Sequence, residues 1–194
     1  EDRGDEQLVW IAEIERAVAR LYPTLRDNAD YTAMISDHHR SRVLGYIADA
    51  RTKVAEIIEI NPAREDFAQA TTRKIAPTLV INPGDDCHVM QDEIFGPILP
   101  IKTYRTIDEA LSYISARPRP LALYFFGGRK QADHVLSSTI SGGASINDVA
   151  MHVLQENLPF GGSGGSGMGN YHAEFGRAGI DAISVNIDAV DRTR

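Results

Sequence analysis

Residues 121–147 read LALYFFGGRKQADHVLSSTISGGASIN. LALYFF (121–126) is almost continuously apolar, the pattern of a strand buried on both faces. A helix is predicted over 129–140, and GASIN (143–147) reads as the next strand. A strand, a helix and a strand in that order make a parallel pair joined by a crossover. Upstream, Thr106 and Glu109 form a capping-box-like pair that opens another helix, carrying Ala110, Leu111 and Ile114 and stopping before Pro118. ILPIKTY (98–104), TLVIN (78–82) and VAEIIEI (54–60) read as strands, the last stopped by Asn61-Pro62. Ser36 is placed to cap a helix in SDHHRSRVLGYIADARTKV (36–54). Residues 6–21 put Leu8, Ile11, Ala12, Ile14 and Val18 on one helical stripe, ended by Pro23. The predicted class is α/β, a mostly parallel sheet flanked by helices. AISVNIDAV (182–190) alternates like an edge strand. No fixed-period repeat is present.

Composition narrows the function classes. The chain has 194 residues, 43% hydrophobic and 24% charged, with a formal net charge of −7. That size can bury a core. Interspersed charges of net negative sign argue against nucleic-acid binding, which needs a basic face. The apolar runs are too short to span a membrane. One cysteine allows no internal disulfide and points to a reducing, cytoplasmic setting. The opening residues, EDRGDE, show no signal-peptide pattern and no initiator Met. The expectation is a piece of a longer protein; the alternative is a native chain trimmed of a short tail.

Three patterns invite a functional reading and do not sustain it. Gly162-x-Gly164-x-x-Gly167 satisfies a dinucleotide fingerprint formally, with Asp188 about twenty residues on. Its lead-in, QENLPF, contains a proline and is no central strand, and MGNYHAEFG (168–176) opens a poor helix. Tight backbone turning accounts for these glycines better. Cys87 and His88 are adjacent, so in an extended segment they point to opposite sides and form no thiol–imidazole pair. Cys87 reads as a small buried hydrophobe. His38 and His39 diverge on a helix with no ligand four residues on to close a metal site, so no metal is expected.

QDEIFGP (91–97) is more specific. A carboxylate has only acceptors and can take both vicinal hydroxyls of a ribose. An aromatic two residues later faces the same side in an extended backbone. Glu93 could therefore hold a nucleotide sugar while Phe95 lies against a flat ring, with Gly96-Pro97 fixing the turn. The bland alternative is a charged loop anchored by its Phe.

QDEIFGPILPIKTY, RPRPLALYFF, SGGASINDVAMHV and LPFGGSGGSGMGNYH follow one another in this order. In these motifs the chain resembles the aldehyde dehydrogenase superfamily. It looks most like the class 3-like branch and, within that, bacterial coniferyl aldehyde dehydrogenases. The similarity is strongest over 78–172 and looser over the first sixty residues or so, where LYPTLRDNADYTAMISDHH still fits. The resemblance implies an aldehyde dehydrogenase catalytic domain over 1–180, incomplete at its N-terminus, and an oligomerisation arm over 181–194. Glu93 would hold the nicotinamide ribose of NAD or NADP, and Phe95 would pack near the nicotinamide. Asn147, Met151, His152 and Phe160 would line the pocket for a small-molecule aldehyde, with Pro159 to Gly162 shaping it. The family's chemistry is attack of a cysteine thiolate on the aldehyde, hydride transfer to the nicotinamide, and hydrolysis of the thioester by glutamate-activated water. The resemblance places that cysteine and that glutamate upstream, so no catalytic residue is expected within this chain. A homodimer is expected. An acyl reductase of the same superfamily, or a non-catalytic oligomerisation module, would share most of these motifs. Ala173, the run Ala182-Ile183-Ser184-Val185, and Gly165 at a position where proline is common depart from the branch's usual pattern.

Overall fold

The structure is a computed structural model and describes residues 3–53, 55–67, 72–167 and 169–171. It divides into two compact units, Glu1–Thr103 and Tyr104–Arg194. The expected arm over 181–194 and the boundary before it lie outside the described residues.

The first unit contains α1 (Arg3–Leu21), α2 (Asp37–Thr52), β1 (Glu56–Glu59), β2 (Thr78–Ile81), α3 (His88–Gln91) and β3 (Ile98–Ile101). The strands form one sheet in the order β1-β2-β3. β1 runs antiparallel to β2, pairing Glu56 with Ile81, whereas β3 runs parallel to it, pairing Thr78 with Ile98. All four residues of β2 are buried, as a central strand of alternating inward faces requires. Val80 joins Val43, Tyr46, Ile47 and Ala50 of α2, together with Cys87, Val89 and Ile98. Its neighbours Leu79 and Ile81 join Ile11 of α1 and Ile60 instead. The period of two along β2 thus assigns one helix to each face of the sheet. Ser36 caps α2 as the sequence indicates, its Oγ accepting from His39 N at 3.3 Å. On α1 only part of the expected stripe is covered: Ile11 is buried, Ile14 and Val18 pack beside it, and Leu8 is exposed. After α1, Glu65 accepts from Leu25 N at 2.6 Å and Arg26 N at 3.1 Å, and Lys74 Nζ donates to Leu25 O at 3.1 Å. These bonds satisfy the backbone around Leu25, which is fully buried.

The second unit contains α4 (Ile107–Ser115), β4 (Ala122–Phe125), α5 (Arg129–Ser138), β5 (Gly143–Ile146), a 3-10 turn (Met151–Val153), β6 (Phe160–Gly161), a second 3-10 turn (Gly164–Ser166) and β7 (Asn170–Tyr171). β4 and β5 are parallel, with Ala122 beside Gly143 and Phe125 beside Ile146, and α5 makes the crossover. This is the strand–helix–strand unit expected from 121–147. Its burial differs from expectation. β4 is only partly covered, and Leu121, Tyr124 and Phe126 are exposed. The reason is that β4 pairs with β5 alone among the described residues. Thr106 caps α4, accepting from Glu109 N at 3.2 Å, while the Glu109 carboxylate accepts from Arg105 N at 2.9 Å. That reach, one residue beyond the usual capping-box partner, is the main cause of the depressed Glu109 pKa.

The fold class is α/β, with parallel and mixed sheets and flanking helices. Among the described residues, no helix is long and apolar enough to cross a membrane.

Candidate functional site

The segment joining β2 to β3 carries Glu93, and α2 holds that segment along most of its length. Arg42, Tyr46, Asp49 and Lys53 are spaced by four, three and four residues, which aligns them on one side of α2. At the start of the segment, Asp49 Oδ2 accepts from His88 N at 2.9 Å. This bond is the main reason the Asp49 carboxyl titrates below its usual range, the second being its contact with Lys53. Lys53 Nζ lies 2.9 Å from Asp49 Oδ1 and donates to Asp86 O at 2.6 Å. The Asp49 bond holds the Lys53 ammonium above its ordinary pKa.

At the far end, Arg42 Nη2 donates to Ile94 O at 2.8 Å and Nη1 reaches Glu93 O at 3.4 Å. Nη1 also donates to the Tyr46 hydroxyl at 2.9 Å, and that hydroxyl donates to Asp92 Oδ2 at 3.0 Å. Gly96 sits so close to α2 that a Cβ there would lie 2.8 Å from Val43 Cγ2. Phe95 occupies the left-handed region at φ 44° and is 71% exposed. For a bulky L-residue that conformation is unfavourable and persists only where its neighbours impose it. The chain is therefore not extended through Phe95, and the same-side placement expected from an extended backbone does not apply here. The Glu93 side chain is exposed, and among the described residues no group hydrogen-bonds or ion-pairs with its carboxylate. The result is a clamped backbone bearing a free acid and a bare ring.

The four other predicted site residues lie in the second unit. His152 is buried, and among the described residues neither ring nitrogen has a hydrogen-bond partner. Its ring packs 5.6 Å from Tyr124 and 5.8 Å from Phe160, centroid to centroid. A Cβ on Gly143 would fall 2.6 Å from His152 Cδ2, so glycine is what lets the imidazole lie on β5. Burial lowers the His152 pKa and favours the neutral ring. Phe160 is half-buried in this cluster and Met151 is exposed. Asn147 follows β5 at φ 54°, with both ends of its amide engaged on one backbone: Oδ1 accepts from Gly127 N at 2.8 Å and Nδ2 donates to Gly127 O at 3.2 Å. It joins the ends of β4 and β5. The structure therefore brings His152 and Phe160 into one aromatic cluster, with Met151 adjoining in the chain, and gives Asn147 a separate bridging position.

Cys87 has no solvent exposure and lies in the core under α2, while His88 is exposed. The pair diverges as adjacent residues should. His38 and His39 are exposed, and no group of metal-ligating side chains occurs among the described residues. The glycines of 161–167 form a close backbone turn, where a Cβ on Gly162 would meet Ser166 and Gly167 backbone within 2.4 Å. MGNYHAEFG, read from the sequence as a poor helix former, gives a strand at Asn170–Tyr171, and residues 168 and 172–176 lie outside the described residues. A Cβ on Gly165 would meet nothing within 4 Å, so the departure from proline there leaves no steric trace.

Nothing in the local sequence singles out Arg42 and Tyr46. Their four-residue spacing is visible there, but their partners at 92–94 are not.

The aldehyde dehydrogenase family model matches residues 10–185. The probable coniferyl aldehyde dehydrogenase of Caulobacter vibrioides is 55% identical over 168 residues, 86% of this chain and 35% of that protein. The coniferyl aldehyde dehydrogenase of Pseudomonas sp. strain HR199 is 49% identical over the same shares, 86% and 35%. The substrate-bound state of Staphylococcus aureus AldH superposes with a TM-score of 0.75 at 34% identity, covering 88% of this chain and 36% of that one. The chain thus spans about a third of the length of these relatives. A family match over nearly the whole sequence, with the E-x-F-G-P acid on a loop held by α2, places this chain in the aldehyde dehydrogenase family.

Proposed function

We propose that residues 1–194 belong to an NAD(P)-dependent aldehyde dehydrogenase that oxidises an aromatic or long apolar aldehyde, coniferyl-like, to the carboxylic acid. The reaction would pass through a thiohemiacetal and a thioester on a cysteine supplied from outside these residues. Cys87 supports the last point: a thiol with no solvent exposure cannot reach an aldehyde.

The observation that carries the reading is an exposed Glu93 carboxylate, free of partners among the described residues, two positions before the exposed Phe95. These residues fit a dinucleotide. The carboxylate has all its acceptor positions available for the two hydroxyls of a ribose, and the ring offers an uncovered face to a nicotinamide. NAD or NADP, when bound, would accept the hydride released by the substrate. Glu93 would orient the sugar and Phe95 would limit the tilt of the ring. On the substrate side, the neutral His152 with Phe160 and Tyr124 makes an apolar, aromatic wall, suited to an aromatic aldehyde. The relatives whose names include coniferyl aldehyde support that substrate class.

Glu93→Gln in the intact enzyme tests the reading. The dissociation constant for the dinucleotide should rise about tenfold, the scale of a lost charge-assisted hydrogen bond. Coenzyme-independent ester hydrolysis should fall much less. Equal loss of both would assign Glu93 a structural role.

A further inference from the structure

We propose that Arg42 is a positioning residue for the Glu93 carboxylate, and that it works by holding two consecutive backbone carbonyls instead of pairing with the acid. The inference rests on the reading of Glu93 given above.

A half-buried guanidinium beside two carboxylates, Asp92 and Glu93, would ordinarily form an ion pair with one of them. Arg42 does not. Its forked donors go to Glu93 O, Ile94 O and the Tyr46 hydroxyl. Tyr46 meets Asp92 in its place, at 3.0 Å. Two consequences follow from this choice of partners. A carbonyl held at residue 93 fixes the 93–94 peptide plane, and one held at 94 fixes the 94–95 plane. The Cα–Cβ direction of Glu93 and the entry into Phe95 are then set by α2. The positive charge, meanwhile, is directed at carbonyl dipoles and leaves the Glu93 carboxylate without a partner among the described residues. Phe95 shows that the restraint is firm, since it stays at φ 44°, a region that bulky non-glycine residues seldom occupy. Gly96 closes the far side against Val43. Arginine is suited to this role and lysine is not, because only the planar fork reaches two carbonyls and a hydroxyl together.

The test is a double-mutant cycle in the intact enzyme. The dissociation constants of NADH and of NADPH are measured by nicotinamide fluorescence for Arg42→Lys, Glu93→Gln and the pair. Arg42→Lys alone should raise the constant for the preferred dinucleotide about five- to tenfold. In the Glu93→Gln background the same change should leave it within about twofold, because the group being positioned no longer makes its contact. Tyr46→Phe removes the hydroxyl that ties Arg42 to Asp92; it should give a smaller loss that also vanishes in the Glu93→Gln background. Losses that multiply in the double variants would make Arg42 a general support of the fold and overturn the proposal. Arg42→Lys with unchanged affinity would overturn it as well. If Glu93→Gln alone leaves affinity unchanged, the ribose reading itself fails, and the role of Arg42 falls with it.

Discussion

Phe95 illustrates how one residue can set stability against binding. Its left-handed backbone is unfavourable, and the residue is 71% exposed and contributes little burial. Phe95→Gly should therefore raise stability by about 0.5–1 kcal/mol through relief of backbone strain, while weakening dinucleotide affinity. Thermal melting read beside a binding titration checks both signs, and a destabilised Phe95→Gly variant would refute the strain argument. His152 acts through pH. Burial holds its ring below the ordinary histidine pKa, whereas in the unfolded chain the ring titrates near ~6.5. Below that pH the unfolded state takes up more protons than the native state, so stability is full above about pH 6.5 and declines as pH falls toward the native value. His152→Phe should flatten this acid limb, as measured by denaturant unfolding at about pH 5 and about pH 7.5. An unaltered slope would show that the buried ring is not the source.

At the scale of elements, the caps and the crossover were legible in the sequence, because their chemistry is local. Thr106 with Glu109 and Ser36 before its helix need only neighbours within a turn. Thr106→Ala should cost about 1 kcal/mol and act through α4 alone, so amide exchange should quicken in 107–115 and be unchanged in 37–52. Quickening spread evenly over both helices would contradict a local cap. The cover over β4 was not legible: apolar residues along 121–126 state a capacity for burial, and what covers them is decided by other chain. The four-residue helix α3 has no local sequence signal for a similar reason. Its first turn is held by Asp49, 39 residues away in sequence. Arg42 is the clearest instance, since it meets Ile94 across 52 residues and no window of local pattern contains both. Of the candidate site, the acid and the ring could be read from seven letters, but the helix that aims them could not.

For the whole chain, the single cysteine decides what an assay of residues 1–194 alone should show. With Cys87 sealed under α2, the 194-residue chain should produce no NAD(P)H from an aromatic aldehyde, measured at 340 nm or so against the intact enzyme. Turnover would mean that Cys87 becomes accessible and serves as the nucleophile. The same burial has a practical use. A lone sulfhydryl in the centre of the first unit can be modified only during transient opening, so its rate of labelling by a thiol-specific reagent is a clock for how often that centre breathes.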